Sequence, residues 1–497
     1  MTLNSPARLE TTSTAAPDAR SRSTHRWWAL AILALAQFLV ILDATIVNIA
    51  LPSIGGQLHL DTAGLSWVIT AYVLPFGGLL LLGGRLADRY GHRRLFLIGT
   101  AGFIVGSALA GFSTSGILLF SARAIQGASA ALLAPAALAL VTQLFTSNTD
   151  RGKALGIWGA VAGFGSAAGV LLGGVLTAAF GWQAVFFVNL PVGILVVASL
   201  PSLLNRDPKR AAERLDAPGA AAITAGLIAA VGALTSAERL GFAHPLTLAL
   251  FAAAAVLIAT FIVIEHRSTS PLVPFSIFAN RAVTAGNLVI LLLGGAIVAL
   301  FFALSVYMQT VLHYDALTAG VAQLPLAGAL VVVAGIVPSL IVRLGMRNTL
   351  AISLLVMAGG LLWLATAPSD AQFVTQLLGP SLLIGMGLGG AAVSGTQLAV
   401  HGVTPTDAGL AGGLVNASQQ IGGALGIAVL GAIAASRTAA LQQQGAAAAD
   451  ALTAGFSWVF LGSAMLAVAG AIIAVTVRDR HMTPAAAARS AAKDLSA

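Results

Sequence analysis

The sequence predicts an all-α polytopic membrane protein: two six-helix bundles with two further helices inserted between them, fourteen transmembrane helices in all. Three observations predict it. Of the 497 residues, 58% are apolar and 8% charged, with mean hydropathy +0.93; soluble domains carry about 45–50% and about 25%, so a bilayer is the expected solvent. Fourteen apolar runs reach the roughly 20 residues that cross a hydrocarbon core. A loop pattern also recurs after 254 residues, which points to a duplicated unit.

The elements follow in order. Residues 1–26, rich in Ser, Thr and Ala and carrying Arg8, Arg20, Arg22 and Arg26, read as a disordered cytoplasmic tail. Residues 27–204 hold the first bundle, with spans at 27–50, 64–84, 95–113, 116–142, 154–179 and 183–204. Residues 205–281 form a linker containing two extra spans at 217–236 and 245–265. Residues 282–477 hold the second bundle, with spans at 282–308, 317–341, 349–367, 371–399, 408–435 and 453–477, and residues 478–497 form a cytoplasmic tail. The runs are apolar all round and too long for the alternating strands of a barrel. Pro75, Pro135, Pro191, Pro325 and Pro380 fall inside spans, where they favour kinks.

Charge placement tests the count, because Lys and Arg gather in cytoplasmic loops. With both termini inside, 22 of the 25 basic residues lie on the cytoplasmic side, Arg239 and Arg437 lie outside, and Arg123 lies within a span. A missed helix would invert every later loop and destroy that asymmetry. The net charge of +8 therefore reflects membrane orientation and argues against a nucleic-acid partner. The absence of cysteine excludes disulfides and thiolate chemistry. No phosphate-binding glycine loop, HExxH metal pair or serine elbow is present, so the chain reads as no enzyme, and nothing calls for a cofactor or metal.

The repeated loop is Leu86-x-x-Arg89-x-Gly91-x-Arg93 after the second span and Leu340-x-x-Arg343-x-Gly345-x-Arg347 after the tenth. The same offset carries Gly169 onto Gly423. Parallel repeats of this kind build transporters that rock two halves about a midplane site.

An ionisable group inside a span is a functional candidate. Asp43 is the one acid well inside a predicted span, and Asp43 and Arg123 lie at similar depth, so they would meet if the first and fourth helices adjoin. Separating the two would change the acid's hold on a proton; a fixed ion pair that aligns two helices is the alternative. Gln126 lies one turn from Arg123, within reach of its guanidinium. Gly163, Gly165, Gly169, Gly173 and Gly174 form a small-residue stripe for close helix packing and a candidate sliding surface between the halves. Gln37, Asn48, Tyr72, Gln126, Asn416 and Gln420 are candidates to line a substrate cavity.

These residues resemble the major facilitator superfamily, and within it the fourteen-span drug:proton antiporters of the EmrB/QacA type. Gly84 to Arg94 is similar to the signature loop between helices 2 and 3, Leu42 to Pro52 to the first-helix motif, and Arg123 to Gly127 to the fourth-helix motif. Trp182 to Gly193 and Asn416 to Ala428 also match that branch. The resemblance implies proton-coupled efflux of amphiphilic drugs across the cell inner membrane by alternating access, with the proton as coupling ion. It implies a cytoplasmic latch of Gly84, Asp88, Arg89, Gly91, Arg93 and Arg151, and a periplasmic adaptor where an outer membrane is present. Val170 stands where the export-associated motif has proline, which leaves direction open. A dedicated exporter or importer of one metabolite, and a non-transporting receptor or scaffold, are the alternatives.

Overall fold

The computed structural model describes residues 19–145, 148–204, 216–268, 271–403 and 408–476. They are helical almost throughout. The first half comprises α1 (Ala19–Leu58), α2 (Thr62–Tyr90), α3 (His92–Gly111), α4 (Gly116–Leu144), α5 (Asn148–Phe180), the short α6 (Ala184–Phe187) and α7 (Asn189–Leu203). The inserted pair is α8 (Ala217–Leu240) and α9 (Pro245–Arg267). The second half comprises α10 (Arg281–Val306), α11 (Ala316–Leu344), α12 (Met346–Leu364), α13 (Leu378–Ala399), α14 (Ala408–Gln443) and α15 (Ala448–Thr476). Among the described residues thirteen helical stretches are long and apolar enough to cross a membrane; α5 adds a shorter apolar run at Ala168–Phe180.

Two predicted boundaries shift. α1 begins at Ala19, inside the expected tail, and the sixth span is split at Val188. Pro191 has no N–H to give the Phe187 carbonyl, so the helix ladder loosens there. Residues 1–18, 205–215 and 477–497 lie outside the described residues.

The duplication is visible in backbone geometry. Gly91 ends α2 with φ 97° and Gly345 ends α11 with φ 80°, left-handed conformations that glycine adopts without a Cβ penalty. A second pair at the same offset sits at the opposite end: His59 and His313 have φ 53° and 56°. Asp61 and Asp315 then cap α2 and α11, each accepting a backbone N–H at 2.7 Å, from Gly64 and Thr318.

The halves meet through matched pairs. α5 lies against α11 and α2 against α14. A Cβ on Gly174 would stand 2.7 Å from the Ala316 carbonyl, and one on Gly77 2.8 Å from Gln420 Cβ. Ser305 Oγ donates to the Asn48 carbonyl at 2.6 Å and Gln309 Nε2 to that of Ile49 at 3.0 Å, tying α10 and the turn that follows it to α1. These α1 and α5 contacts lie toward the end opposite the basic turns; toward the basic end α5 exposes Ile157 and Phe164, and α11 exposes Val332 and Ile336.

The inserted pair is fastened to both halves. α8 packs on α2 and α14. Beyond α9, Leu272 and Val273 are buried with Ala220, Val283 and Leu414, with Leu82 of α2 packed against them. Glu265, only 3% exposed, accepts the backbone N–H groups of Leu272 and Val273 at 3.2 Å each. Arg85 donates to the Pro271 carbonyl at 2.8 Å.

Candidate functional site

Four helices of the first half converge on one carboxylate. α1 presents Asp43, α4 presents Arg123 and Gln126 one turn apart, α3 presents Ser107, and α7 presents Asn189 just past the break at Val188. All five are at most 1% exposed. Arg123 Nη1 donates to Asp43 Oδ2 at 2.5 Å and to Gln126 Oε1 at 2.9 Å. Asp43 Oδ1 accepts from Gln126 Nε2 at 3.0 Å and from Asn189 Nδ2 at 2.9 Å. Ser107 Oγ accepts from the same two amides at 2.8 and 3.3 Å.

The guanidinium is held on its remaining sides. Its Nε donates to the Val68 carbonyl at 3.2 Å, and its carbon lies 4.3 Å from the centroid of the Tyr72 ring. A buried ion pair is tolerable only when such hydrogen bonds replace the lost water. Three donors on one carboxylate and a stacked guanidinium meet that condition.

This geometry reassigns two residues. Tyr72 and Gln126, expected to line a substrate cavity, are buried in the ion-pair network, because α2 and α4 close on each other where a Cβ on Gly127 would meet the Tyr72 carbonyl. The other polar candidates lie apart from that network. Gln37 and Asn48 are half-buried on one stripe of α1, their amide oxygens themselves buried and without a hydrogen-bond partner. Asn416 is exposed and donates to the Gly412 carbonyl, while Gln420 is half-buried with its Cβ side facing α2. Sequence reasoning missed Asn189 and Ser107, and also Gln419, exposed beside Asn416.

The glycine stripe divides its work. Cβ atoms on Gly165, Gly169 and Gly173 would strike Ile41, Thr45 and the Ile46 carbonyl, all on α1 of the same half. Among the described residues of the stripe only Gly174 faces the other half, where it meets Ala316 and Gly320 of α11, so the stripe's share of the surface between halves narrows to that residue. The surroundings of Gly163 and the side chain of Arg151 lie outside the described residues.

At the basic end Asp88 accepts a hydrogen bond from His92 Nε2 at 3.1 Å within its own half. Arg89 lies over the Tyr90 ring and Arg93 donates to the Pro201 carbonyl of α7 at 3.3 Å. The tightly packed glycine here is Gly83, one residue ahead of the motif, whose Cβ would overlap the Ala131 carbonyl; Gly84 has only loose contact with Pro135.

The family model described as the Major Facilitator Superfamily matches residues 33–427. The chain belongs to the Major Facilitator Superfamily. It is therefore a multi-pass membrane transporter and not an enzyme. The chain is 41% identical to the puromycin resistance protein of Streptomyces alboniger, over 87% of this chain and 85% of that one. It is 40% identical to the cephamycin export protein of Amycolatopsis lactamdurans (84% and 87% covered) and 38% to the lincomycin resistance protein of Streptomyces lincolnensis (84% and 86%). Among solved structures, an auto-inhibited peptide transporter of the POT family superposes with TM-score 0.68 at 15% identity, covering 92% of this chain and 98% of that one. A bacterial homologue of the human lysosomal transporter Spinster gives 0.67 at 15%, covering 90% and 96%. At those identities the likeness speaks for the fold alone.

Proposed function

We propose that the chain exports amphiphilic antibiotic-type compounds in exchange for protons, by alternating access across the cytoplasmic membrane, with both termini cytoplasmic. The observation that carries this reading is the buried Asp43–Arg123 pair with its three carboxylate donors. Resistance and export relatives support efflux of small molecules. The one-sided distribution of basic residues supports the orientation.

α1 supplies the coupling. A proton on Asp43 cancels the charge that Arg123 pairs with and converts an acceptor oxygen into a donor, so the four-helix convergence must rearrange. Thr45 of the same helix packs on Gly169 of α5, and the Asn48 carbonyl receives the bond from Ser305 in the other half. The acid and the contact between halves are thus less than two turns apart on one helix. Exchange requires proton and substrate to favour different states by a real free-energy difference. Gln37, Asn48 and Asn416 offer neutral amides to substrate. The position 254 residues beyond Asp43 is Ile297, so the second half offers no equivalent acid. This fits neutral or singly charged compounds better than dications. Asp88 and its neighbouring arginines act as the latch that closes the cytoplasmic ends in the alternate state.

Substrate-induced proton flux in oriented vesicles, over a panel including puromycin, lincomycin, a cephalosporin and ethidium, tests direction, coupling and breadth together. Asp43→Asn is expected to abolish proton-driven efflux at unchanged membrane levels; efflux at the parent rate in that variant overturns the coupling role.

A further inference from the structure

A cavity of about 930 Å3 lies on the flank of the first half, between α2, α4 and α8, at the end opposite the basic turns. Its volume is within the roughly 300–1,000 Å3 of small-molecule sites. The cavity follows from how α2 and α4 cross. They close tightly where Gly83 meets Ala131 and Gly127 meets Tyr72. Farther along, Arg123 and Tyr72 fill the inner side of the wedge, while its outer side presents Ala71, Leu74 and Ala124. α8 adds Ile228 and Thr235 as a third wall, so the inserted pair makes the site.

The chemistry of the lining is specific. Trp67 and Phe120 supply aromatic surface, and Asp61 is the one carboxylate among the lining residues. Its Oδ1 accepts the Gly64 N–H, which fixes the carboxylate at the first turn of α2. A carboxylate beside aromatic faces suits a protonated amine on an apolar body, through charge-assisted hydrogen bonding and cation–π attraction. Behind Trp67 and Thr235, which line both, lies a separate crevice of about 10 Å3 between α2, α8 and α14, room for a single water.

We propose that this flank cavity is a lateral binding site for lipophilic primary amines, with the ammonium group at Asp61 and the apolar body against Trp67 and Phe120. Two sources share that chemistry: a free amphiphilic amine and the headgroup of an ethanolamine lipid. The site stands beyond the proton-coupled cycle, and its occupancy is read at equilibrium without a gradient.

The test uses the purified full chain in nanodiscs of phosphatidylcholine and phosphatidylglycerol. Dansylcadaverine binding is followed by energy transfer from tryptophan. Asp61→Asn keeps a good helix cap and is expected to raise the Kd at least tenfold; an unchanged Kd overturns the proposal. Thr235→Trp fills the cavity without touching charge and is expected to remove binding, and binding at the parent Kd in this variant equally overturns it. Replacing phosphatidylcholine by phosphatidylethanolamine separates the sources. A raised Kd assigns the site to the lipid headgroup, and an unchanged one to free amines. Failure of this binding would leave proton-coupled transport untouched, and loss of coupling in Asp43→Asn would leave this binding untouched.

Discussion

Arg123 cannot be removed without leaving Asp43 charged, buried and short of its strongest partner. Breaking a buried pair from one side costs about 3–5 kcal/mol, so Arg123→Ala is expected to lower the unfolding midpoint in detergent well beyond the effect of a surface arginine. An unchanged midpoint would show that the pair contributes nothing to the stability of the first half. The pair itself was legible in the sequence, because one acid and one base stood at equal depth in otherwise apolar spans. Asn189 and Ser107 were not. An asparagine near a helix start and a serine inside a span are ordinary residues; only the packing of α7 on α1 brings Asn189 to the carboxylate, and that of α3 on α4 and α7 brings Ser107 to the amides that bond it. Glu265 was hidden for a related reason: an acid in the last turn of a helix suggests solvent, and here the chain folds back to bury it.

At the scale of single helices, spacing shows which face is small but not which neighbour it meets. The stripe on α5 was readable, yet its partner is α1 rather than the opposite half. A Cβ on Gly169 would overlap Thr45 Oγ1 and lie 3.2 Å from the Leu42 carbonyl. Gly169→Ala is therefore expected to cost roughly 1–3 kcal/mol through overpacking, with part of the loss recovered in the Thr45→Ala background. Additive effects in that double-mutant cycle would refute the contact. The cap of α11 gives a pH test. Hydrogen bonds from Thr318, its side chain first and its backbone N–H second, hold the Asp315 carboxyl below the usual aspartate value. A lowered folded-state value means stabilisation that is present above the unfolded carboxyl's pKa and lost as pH falls through the folded one. Asp315→Asn retains a cap without titrating, so its melting temperature is expected to fall less than the parent's between about pH 5 and pH 2. Parallel pH curves would dismiss the effect.

For the whole molecule, the 254-residue offset is written in the turns at both ends. The basic turns share four residues, and the opposite turns repeat Leu58, His59 and Asp61 as Leu312, His313 and Asp315, a shorter match whose meaning shows only in the shared positive φ of the histidines. The helix order and the inserted pair were legible because hydropathy counts crossings. The pairing of α5 with α11 and of α2 with α14 was not, because apolar faces look alike to lipid and to protein. The present arrangement joins the halves through α1 and α10 at the end away from the basic turns. The chain has no native cysteine, so Ile49→Cys with Ala316→Cys, which share one buried cluster at this seam, can be joined by a short thiol cross-linker. Transport is expected to stop on cross-linking and return on cleavage; transport that continues while joined would show that this end does not open. The fastening of the inserted pair has an evolutionary consequence. Deleting residues 205–281 would strip Leu82, Val283 and Leu414 of their apolar cover and Arg85 of its acceptor. A stable twelve-helix form is thus not reached by that one deletion. The insertion is entrenched, free to vary on its exposed faces but no longer free to leave.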